Sequence, residues 1–205
     1  MLPLPSHRLV PLASIGDPDH IDAIGDGLTA GGLPVVEVAL RGAHGMPAVK
    51  RLAARGDLHV GAGTVLSVDL ARRALDAGAT FVVTPGLDPE VVGYVSDAGF
   101  PVIPGVLTPT EVQAAMALGL DRLKLFPAGV FDGLALLDAY GDVYRGVRFM
   151  PSGGVRPQNL AAHLAHPAVF AVSGSWITAA APQGAGAVAS AVRAALGIAD
   201  GRNAA

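Results

Sequence analysis

Short apolar runs and longer segments of helical periodicity alternate along the whole chain. Apolar residues in alternation or in short continuous runs predict strands, and apolar residues three and four positions apart predict helices. The predicted strands are 9–15, 35–41, 59–65, 81–85, 101–105, 122–127, 148–151 and 169–173. The predicted helices are 19–31, 46–55, 67–78, 88–98, 109–119, 132–143, 157–165 and 185–197.

Strands that alternate with helices in this way indicate an α/β fold. A unit of strand and helix takes roughly 25 residues, and eight such units use up the chain, as expected for a small (β/α)₈ TIM barrel. A doubly wound open sheet is the alternative, which the lack of a dinucleotide-binding fingerprint disfavours. We therefore expect a single barrel domain over residues 1–205, with 198–205 as a loose tail.

Composition narrows the class of protein. Apolar residues make up 51% of the chain and charged residues 15%, which predicts a large core. The net charge of -3, without a basic cluster, gives no reason to expect a nucleic-acid partner. No cysteine is present, so disulfides and a cysteine nucleophile are excluded. We expect no signal peptide in the proline-broken start and no membrane span in the short apolar segment 168–181, and hence a cytoplasmic protein.

Lysine and glutamate are rare in this chain, which has two lysines and three glutamates. Lys50 lies in a predicted helix, where a solvated amine is ordinary, and Glu90 and Glu111 lie in first helical turns, which favour carboxylates. Lys124 and Glu37 instead lie inside apolar predicted strands. Charged side chains are almost never buried without a partner or a chemical role. These two residues therefore form a candidate reaction centre.

Alternation along the strands directs both residues into the barrel. Val36 and Val38 share the face expected to pack on helices, so Glu37 and Arg41 share the opposite face, and Lys124 has the equivalent position on its strand. An amine in an apolar pocket suits imine formation with a carbonyl, and a nearby carboxyl can move protons. The guanidinium of Arg41 matches a substrate carboxylate. A structural salt bridge is the alternative, although buried ion pairs rarely offset their desolvation.

Two glycine-rich turns end the last two predicted strands, and a third lies within the predicted strand 59–65. Segments 152–155 and 173–176 follow the last two strands, where barrels frequently bind phosphate through backbone N–H groups. From the third turn, 61–64, we expect the hydroxyl of Thr64 to lie near the substrate. Each turn has a plain alternative as a tight strand end, since the chain contains 27 glycines.

Prolines and histidines add less. Four prolines fall where predicted strands end, as suits a residue without an N–H to donate: Pro85, Pro104, Pro127 and Pro151. The six histidines are scattered and show no ligand set, so we expect neither a metal nor another cofactor.

Several longer segments resemble one enzyme family over nearly the whole chain. They are VVEVALRG (35–42), VGAGTVLS (60–67), FVVTPGLDPEV (81–91), PVIPGVLTPTEV (101–112), LKLFPA (123–128), FMPSGGV (149–155) and VSGSW (172–176). These segments are similar to the Schiff-base aldolases of the KDPG/KHG family, which cleave 2-keto-3-deoxy-6-phosphogluconate. Several members of the family also act on 4-hydroxy-2-oxoglutarate.

The resemblance implies a role for each matching residue. Lys124 would form the imine with pyruvate, and Glu37 would be the general acid and base. Arg41 and Thr64 would bind the pyruvyl carboxylate, Pro85 and Phe126 would line the pocket, and Ser152 would contact a substrate oxygen. The phosphate would be bound by Gly153, Gly154, Gly174 and Ser175. It further implies a class I lyase acting on a phosphorylated 2-keto acid, without a cofactor, as a homotrimer.

Two departures from the family and three other functions stay open. Gly129 stands where many relatives have an acidic residue, and the first strand reads VPLASI where relatives are more apolar; both concern the choice of aldehyde. A sister aldolase for the phosphogalactonate epimer is one alternative, which Arg41 disfavours. The others are a phosphosugar isomerase or synthase without imine chemistry, and a non-catalytic binding barrel.

Overall fold

The computed structural model describes residues 7–201. Its strands are β1 Leu9–Ala13, β2 Val35–Ala39, β3 His59–Gly63, β4 Phe81–Val83, β5 Val102–Ile103, β6 Gly105–Val106, β7 Arg122–Leu125, β8 Arg148–Pro151 and β9 Val172–Gly174. Its α-helices are α1 Ile21–Gly31, α2 Gly45–Ala53, α3 Val68–Asp76, α4 Pro89–Asp97, α5 Pro109–Ala117, α6 Gly133–Val143, α7 Pro157–Ala165 and α8 Ala185–Ala199. Two 3₁₀ turns, Pro18–His20 and Thr178–Gln183, precede α1 and α8.

All strand pairs are parallel, which confirms the predicted α/β class. Six strands form one sheet in the order β5-β4-β3-β2-β1-β9, and β6-β7-β8 form a second sheet. Parallel strands need helical crossovers, and the helices cover the outer faces of the sheets. The six-stranded sheet therefore combines the beginning of the chain with its last strand.

Contacts at two places connect the sheets. Phe149 of β8 forms a β-bridge with Val169, and its backbone N–H donates to Ala168 O at 2.7 Å. On the other side, β5 and β6 are consecutive and are separated by Pro104 alone. The carbonyl of Pro104 accepts from Lys124 N at 2.8 Å, so the strand pairing with β7 begins at the proline itself.

Several predicted boundaries are corrected by the structure. The predicted strand 101–105 is two short strands, because Pro104 has no N–H to continue the pairing. The predicted strand 169–173 is only an isolated bridge at Val169 followed by β9. At the end of the chain, residues 198 and 199 belong to α8 and not to a loose tail; residues 1–6 and 202–205 lie outside the described part.

Local sequence signals explain where several helices begin. The carboxylate of Asp88 accepts from the N–H groups of Glu90 and Val91, and Pro89 follows at the first helical position of α4. Thr108 and Glu111 form a complete capping box at α5. These caps fix where each helix starts after its strand.

No helix among residues 7–201 is long and apolar enough to cross a membrane.

Candidate active site

A buried ion pair joins the two sheets. Lys124 Nζ on β7 lies 3.0 Å from Glu37 Oε1 on β2. Glu37 has no solvent-exposed surface and Lys124 is 5% exposed. Because β2 and β7 belong to different sheets, this contact requires the sheets to face each other across one interior. The predicted convergence of the two side chains is confirmed by this distance.

The carboxylate of Glu37 is held on both of its oxygens. Oε1 accepts from Lys124, and Oε2 accepts from the hydroxyl of Ser173 at 3.1 Å. Gly63 on the neighbouring strand leaves room for this side chain: a methyl group there would lie 2.7 Å from Glu37 Cγ and 2.9 Å from Cδ. The position of the carboxylate is therefore fixed by three strands besides its own.

Aromatic and proline residues border Lys124. The amine lies 5.5 Å from the centre of the Phe126 ring, and the peptide bond between Phe126 and Pro127 is cis. Gly105 is the strand partner of Lys124, and a side chain at Gly105 would overlap the carbonyl of Pro85. Phe126 therefore lies beside the lysine, and the Pro85 carbonyl lies beside Gly105, the strand partner of the lysine.

Arg41 and Thr64 form a second polar contact at the strand ends. Arg41 Nε donates to Thr64 Oγ1 at 3.3 Å, and the arginine is exposed. Thr64 has a φ of 59°, a left-handed conformation that is rare for β-branched residues. Such conformations persist where the surrounding structure enforces them, and they cluster at functional sites.

The glycine turn after β8 is hydrogen-bonded to the segment after β7. Ala128 N donates to Ser152 O at 2.9 Å, and Gly129 N donates to Gly153 O at 2.6 Å. The chains approach so closely that a methyl group at Gly129 would lie 2.8 Å from Gly154 Cα. Both Gly153 and Gly154 have positive φ, and Ser152 is buried. The absence of a side chain at Gly129 is therefore part of how this turn packs.

The turn after β9 packs beside the turn after β8. A methyl group at Gly174 would overlap the ring of Trp176 and would lie 3.1 Å from the carbonyl of Val155. Ser175 is exposed, whereas Gly174 is buried. The two predicted phosphate turns are thus neighbours, and the ring of Trp176 packs against Gly174.

Two residues at the centre were missing from the sequence-based site. Ser173 was included only within a glycine turn, although alternation from Val169 through Ala171 places it on one strand face. Gly63 carries no chemical group, and only its distance to Glu37 reveals its importance. Among residues 7–201, no group of three or more His, Asp or Glu side chains is placed to hold a metal ion.

Comparison with known proteins identifies the family. The profile of the family described as KDPG and KHG aldolase matches residues 3–191, and the chain belongs to this family. A relative from Pseudomonas aeruginosa, 2-dehydro-3-deoxy-phosphogluconate aldolase, is 43% identical over 171 residues, which cover 83% of this chain and 78% of the relative.

Solved structures agree with this assignment. The 2-keto-3-deoxy-6-phosphogluconate aldolase of Zymomonas mobilis ZM4, solved with 3-phosphoglycerate, has a TM-score of 0.85 and 32% identity, covering 93% of this chain and 91% of that one. KDPG aldolase from Legionella pneumophila, with pyruvate captured as a covalent carbinolamine, has a TM-score of 0.89 and 29% identity, covering 93% and 94%.

Proposed function

We propose that this protein is a class I aldolase that cleaves 2-keto-3-deoxy-6-phosphogluconate into pyruvate and glyceraldehyde 3-phosphate. The observation that carries the proposal is the contact of 3.0 Å between Lys124 Nζ and Glu37 Oε1 in a buried interior. A primary amine beside a proton acceptor, away from bulk water, is the arrangement that imine formation needs. The chemistry of the Pseudomonas, Zymomonas and Legionella relatives supports the same conclusion.

Imine formation begins with a proton transfer inside the ion pair. Glu37 takes a proton from the ammonium group of Lys124, and the neutral amine attacks the C2 ketone of the substrate. The carbinolamine nitrogen loses its extra proton to the new hydroxyl oxygen. Glu37 then returns its proton to this hydroxyl, which leaves as water, and the nitrogen lone pair forms the C=N bond of the protonated imine.

Carbon–carbon cleavage uses the imine as the electron sink. Glu37, now a carboxylate, removes the proton of the C4 hydroxyl, and the electrons of the C3–C4 bond move onto the imine. Glyceraldehyde 3-phosphate leaves, and Glu37 returns the proton to C3 of the remaining enamine. Water then attacks the imine carbon, and hydrolysis releases pyruvate and regenerates Lys124.

The other residues bind the ends of the substrate. We assign the carboxylate to Arg41 and Thr64, which are already in contact. We assign the phosphate to the two adjacent turns, where backbone and hydroxyl donors come from Gly153, Gly154, Gly174 and Ser175. Ser152 would contact a substrate oxygen, and Pro85 and Phe126 would line the pocket. Because cleavage uses only the pyruvyl half and the C4 hydroxyl, and 4-hydroxy-2-oxoglutarate has both, this compound is a second candidate substrate.

We further propose that the two sheets form one (β/α)₈ barrel in a single domain spanning the chain. The bridge from Phe149 to Val169 and the continuity of β5 and β6 through Pro104 support closure on both sides. We also propose a homotrimer. Its support is the family resemblance together with large exposed apolar side chains such as Val130 and Phe131, which are 71% and 52% exposed.

Reductive trapping tests the imine directly. The protein is incubated with pyruvate and borohydride, and the labelled peptide is located by mass spectrometry. We expect a pyruvyl adduct on Lys124 and none on Lys50, the second of the two lysines and therefore an internal control.

The matched variants are Lys124→Ala and Lys50→Ala. We expect the first to abolish trapping and cleavage in a folded protein, and the second to retain both. A well-folded wild-type protein without an adduct would overturn the class I mechanism and favour a phosphosugar enzyme without an imine.

A further inference from the structure

We propose that Ser173 is a positioning residue for the reaction at Lys124, because its hydroxyl fixes the orientation of the Glu37 carboxylate. The inference rests on the proposed aldolase function and deepens it. Ser173 Oγ donates to Glu37 Oε2 at 3.1 Å, while Lys124 Nζ donates to Glu37 Oε1 at 3.0 Å. Each oxygen of the carboxylate therefore has its own donor from a different strand.

Two donors on separate oxygens restrict rotation of the carboxyl group. The terminal torsion of a glutamate side chain is broad and roughly two-fold, so a single tether leaves the plane of the carboxyl poorly defined. With Oε2 fixed by Ser173, the lone pairs of Oε1 remain directed at the amine. Proton transfer requires this alignment each time Glu37 gives or takes a proton.

The contribution of Ser173 increases once the imine has formed. Lys124 then carries a carbon substituent on its nitrogen, so its earlier ammonium contact with Glu37 no longer exists in the same form. Ser173 takes no part in the covalent changes, and its hydrogen bond can persist through all of them. The hydroxyl thus supplies a constant reference point for a carboxyl group whose other partner changes.

The surroundings of Ser173 argue against a purely structural hydroxyl. Ser173 has no exposed surface and lies between the buried residues Val172 and Gly174. A buried hydroxyl is commonly satisfied by a backbone carbonyl, as Thr178 shows with its 2.6 Å bond to Leu12 O. Ser173 instead donates to the one side chain that has to move protons.

The test compares Ser173→Ala with Thr178→Val, which removes a hydroxyl of similar burial that bonds only to backbone. We measure kcat and KM for cleavage and the rate of pyruvate trapping by borohydride. For Ser173→Ala we expect kcat and the trapping rate to fall by about 10- to 100-fold, with KM within about threefold of wild type, because misplacing a catalytic group affects the chemical steps. Thr178→Val should keep its kcat.

A second comparison shows whether the effect passes through Glu37. In a Glu37→Gln background, Ser173→Ala should cause no further loss of kcat, since residues that act as one unit are not additive. Carbon-13 labelling of the glutamate carboxyls adds a spectroscopic readout with only three signals. The Glu37 signal should shift in Ser173→Ala and stay in place in Thr178→Val.

Each other outcome overturns the inference. An unchanged kcat in folded Ser173→Ala, an equal loss in the Glu37→Gln background, or an unmoved Glu37 signal would assign the hydroxyl to packing. If Ser173→Ala does not fold, Ser173→Cys decides, because its thiol is a weaker donor of similar size and should also lower kcat. Failure of the wild-type protein to trap pyruvate would instead refute the aldolase function itself.

Discussion

Gly63 and Glu37 pack so tightly that the smallest side chain at Gly63 would displace the carboxylate. A methyl group at Gly63 would lie 2.7 Å from Glu37 Cγ, and Glu37 cannot yield freely because both of its oxygens are held. The glycine is therefore required by the side chain beside it and not by its own backbone, which has no positive φ.

Gly63→Ala should consequently reduce catalysis while the fold is retained. We expect kcat to fall by about 10²-fold, because a displacement of about 1 Å in a catalytic group has effects of this size. Gly16→Ala is the matched control, since a methyl group there would meet no atom within 4 Å. Steady-state kinetics decide the matter, and equal activity of the two variants would show that Glu37 tolerates displacement.

The buried ion pair should contribute reactivity and not stability. Lys124→Met leaves the carboxylate of Glu37 buried without its cation, which should destabilise the fold by about 3–5 kcal/mol. The double variant Glu37→Gln/Lys124→Met removes both charges and keeps an acceptor for Ser173. We expect its free energy of unfolding to lie within about 1 kcal/mol of the wild-type value, since replacing a buried ion pair as a whole is often neutral for stability.

Chemical denaturation of the two variants measures these differences. A double variant as unstable as the single one would mean that the pair is structural, which is the alternative that the sequence left open. Both variants should also be inactive, because each of them lacks the amine of Lys124.

Thr64 should lower the stability of the fold while its hydroxyl supports substrate binding. Its φ of 59° places a β-branched residue in a conformation that costs about 1–2 kcal/mol, partly offset on replacement by the extra freedom of glycine in the unfolded chain. We expect Thr64→Gly to be at least as stable as wild type. Its KM should rise because the hydroxyl that contacts Arg41 is lost.

Thermal unfolding of Thr64→Gly measures its stability, and steady-state kinetics measure its KM. Thr29→Gly, within α1, provides the contrast, because glycine inside a helix is less favourable than threonine by roughly 0.3 kcal/mol and should lower stability. A clear loss of stability in Thr64→Gly would show that the backbone at this position is not strained.

Glu111 should make the stability of the fold depend on pH in the acidic range. Burial raises its pKa, but hydrogen bonds from the N–H groups of Leu107 and Thr108 and from the Thr108 hydroxyl outweigh burial and bring the pKa below its usual 4.5. A carboxyl with a lowered folded pKa stabilises the fold fully above its unfolded pKa. This stabilisation is lost as the pH falls through the folded value.

Glu111→Gln should therefore be less stable than wild type at pH 7, by about 1 kcal/mol, with the difference shrinking below pH 4.5. Denaturation curves at a series of pH values test this, with Glu90→Gln as a control in the first turn of another helix. A difference that does not change with pH would mean that the charge on Glu111 contributes nothing to the cap.

The contact between Lys124 and Glu37 could be predicted because both residues violate a local rule. Lys124 and Glu37 are charged side chains in apolar strands, and two-residue alternation is sufficient to direct both inward. The order of strands and helices follows from periodicity in the same way. These signals are local, so one sequence contains them in full.

Features that depend on approach between distant segments could not be predicted. Whether Gly63 faces a carboxylate, or Gly129 faces Gly154, depends on the register of neighbouring elements. Ser173 looks like one of many small residues in a turn until its distance to Glu37 is known. The break between β5 and β6 at Pro104 likewise depends on a neighbouring strand, because it lies where a residue with an N–H would have donated a hydrogen bond to that strand.

The strand order has a consequence for when the enzyme first becomes active during synthesis. Glu37 lies in a sheet whose last member, β9, ends at Gly174, and Lys124 lies in the other sheet. A nascent chain synthesised only as far as residue 171 would contain both Lys124 and Glu37 but would lack β9, the strand that completes the sheet of Glu37. Ribosome-bound intermediates should therefore be unable to react with cellular pyruvate until almost the entire polypeptide has emerged.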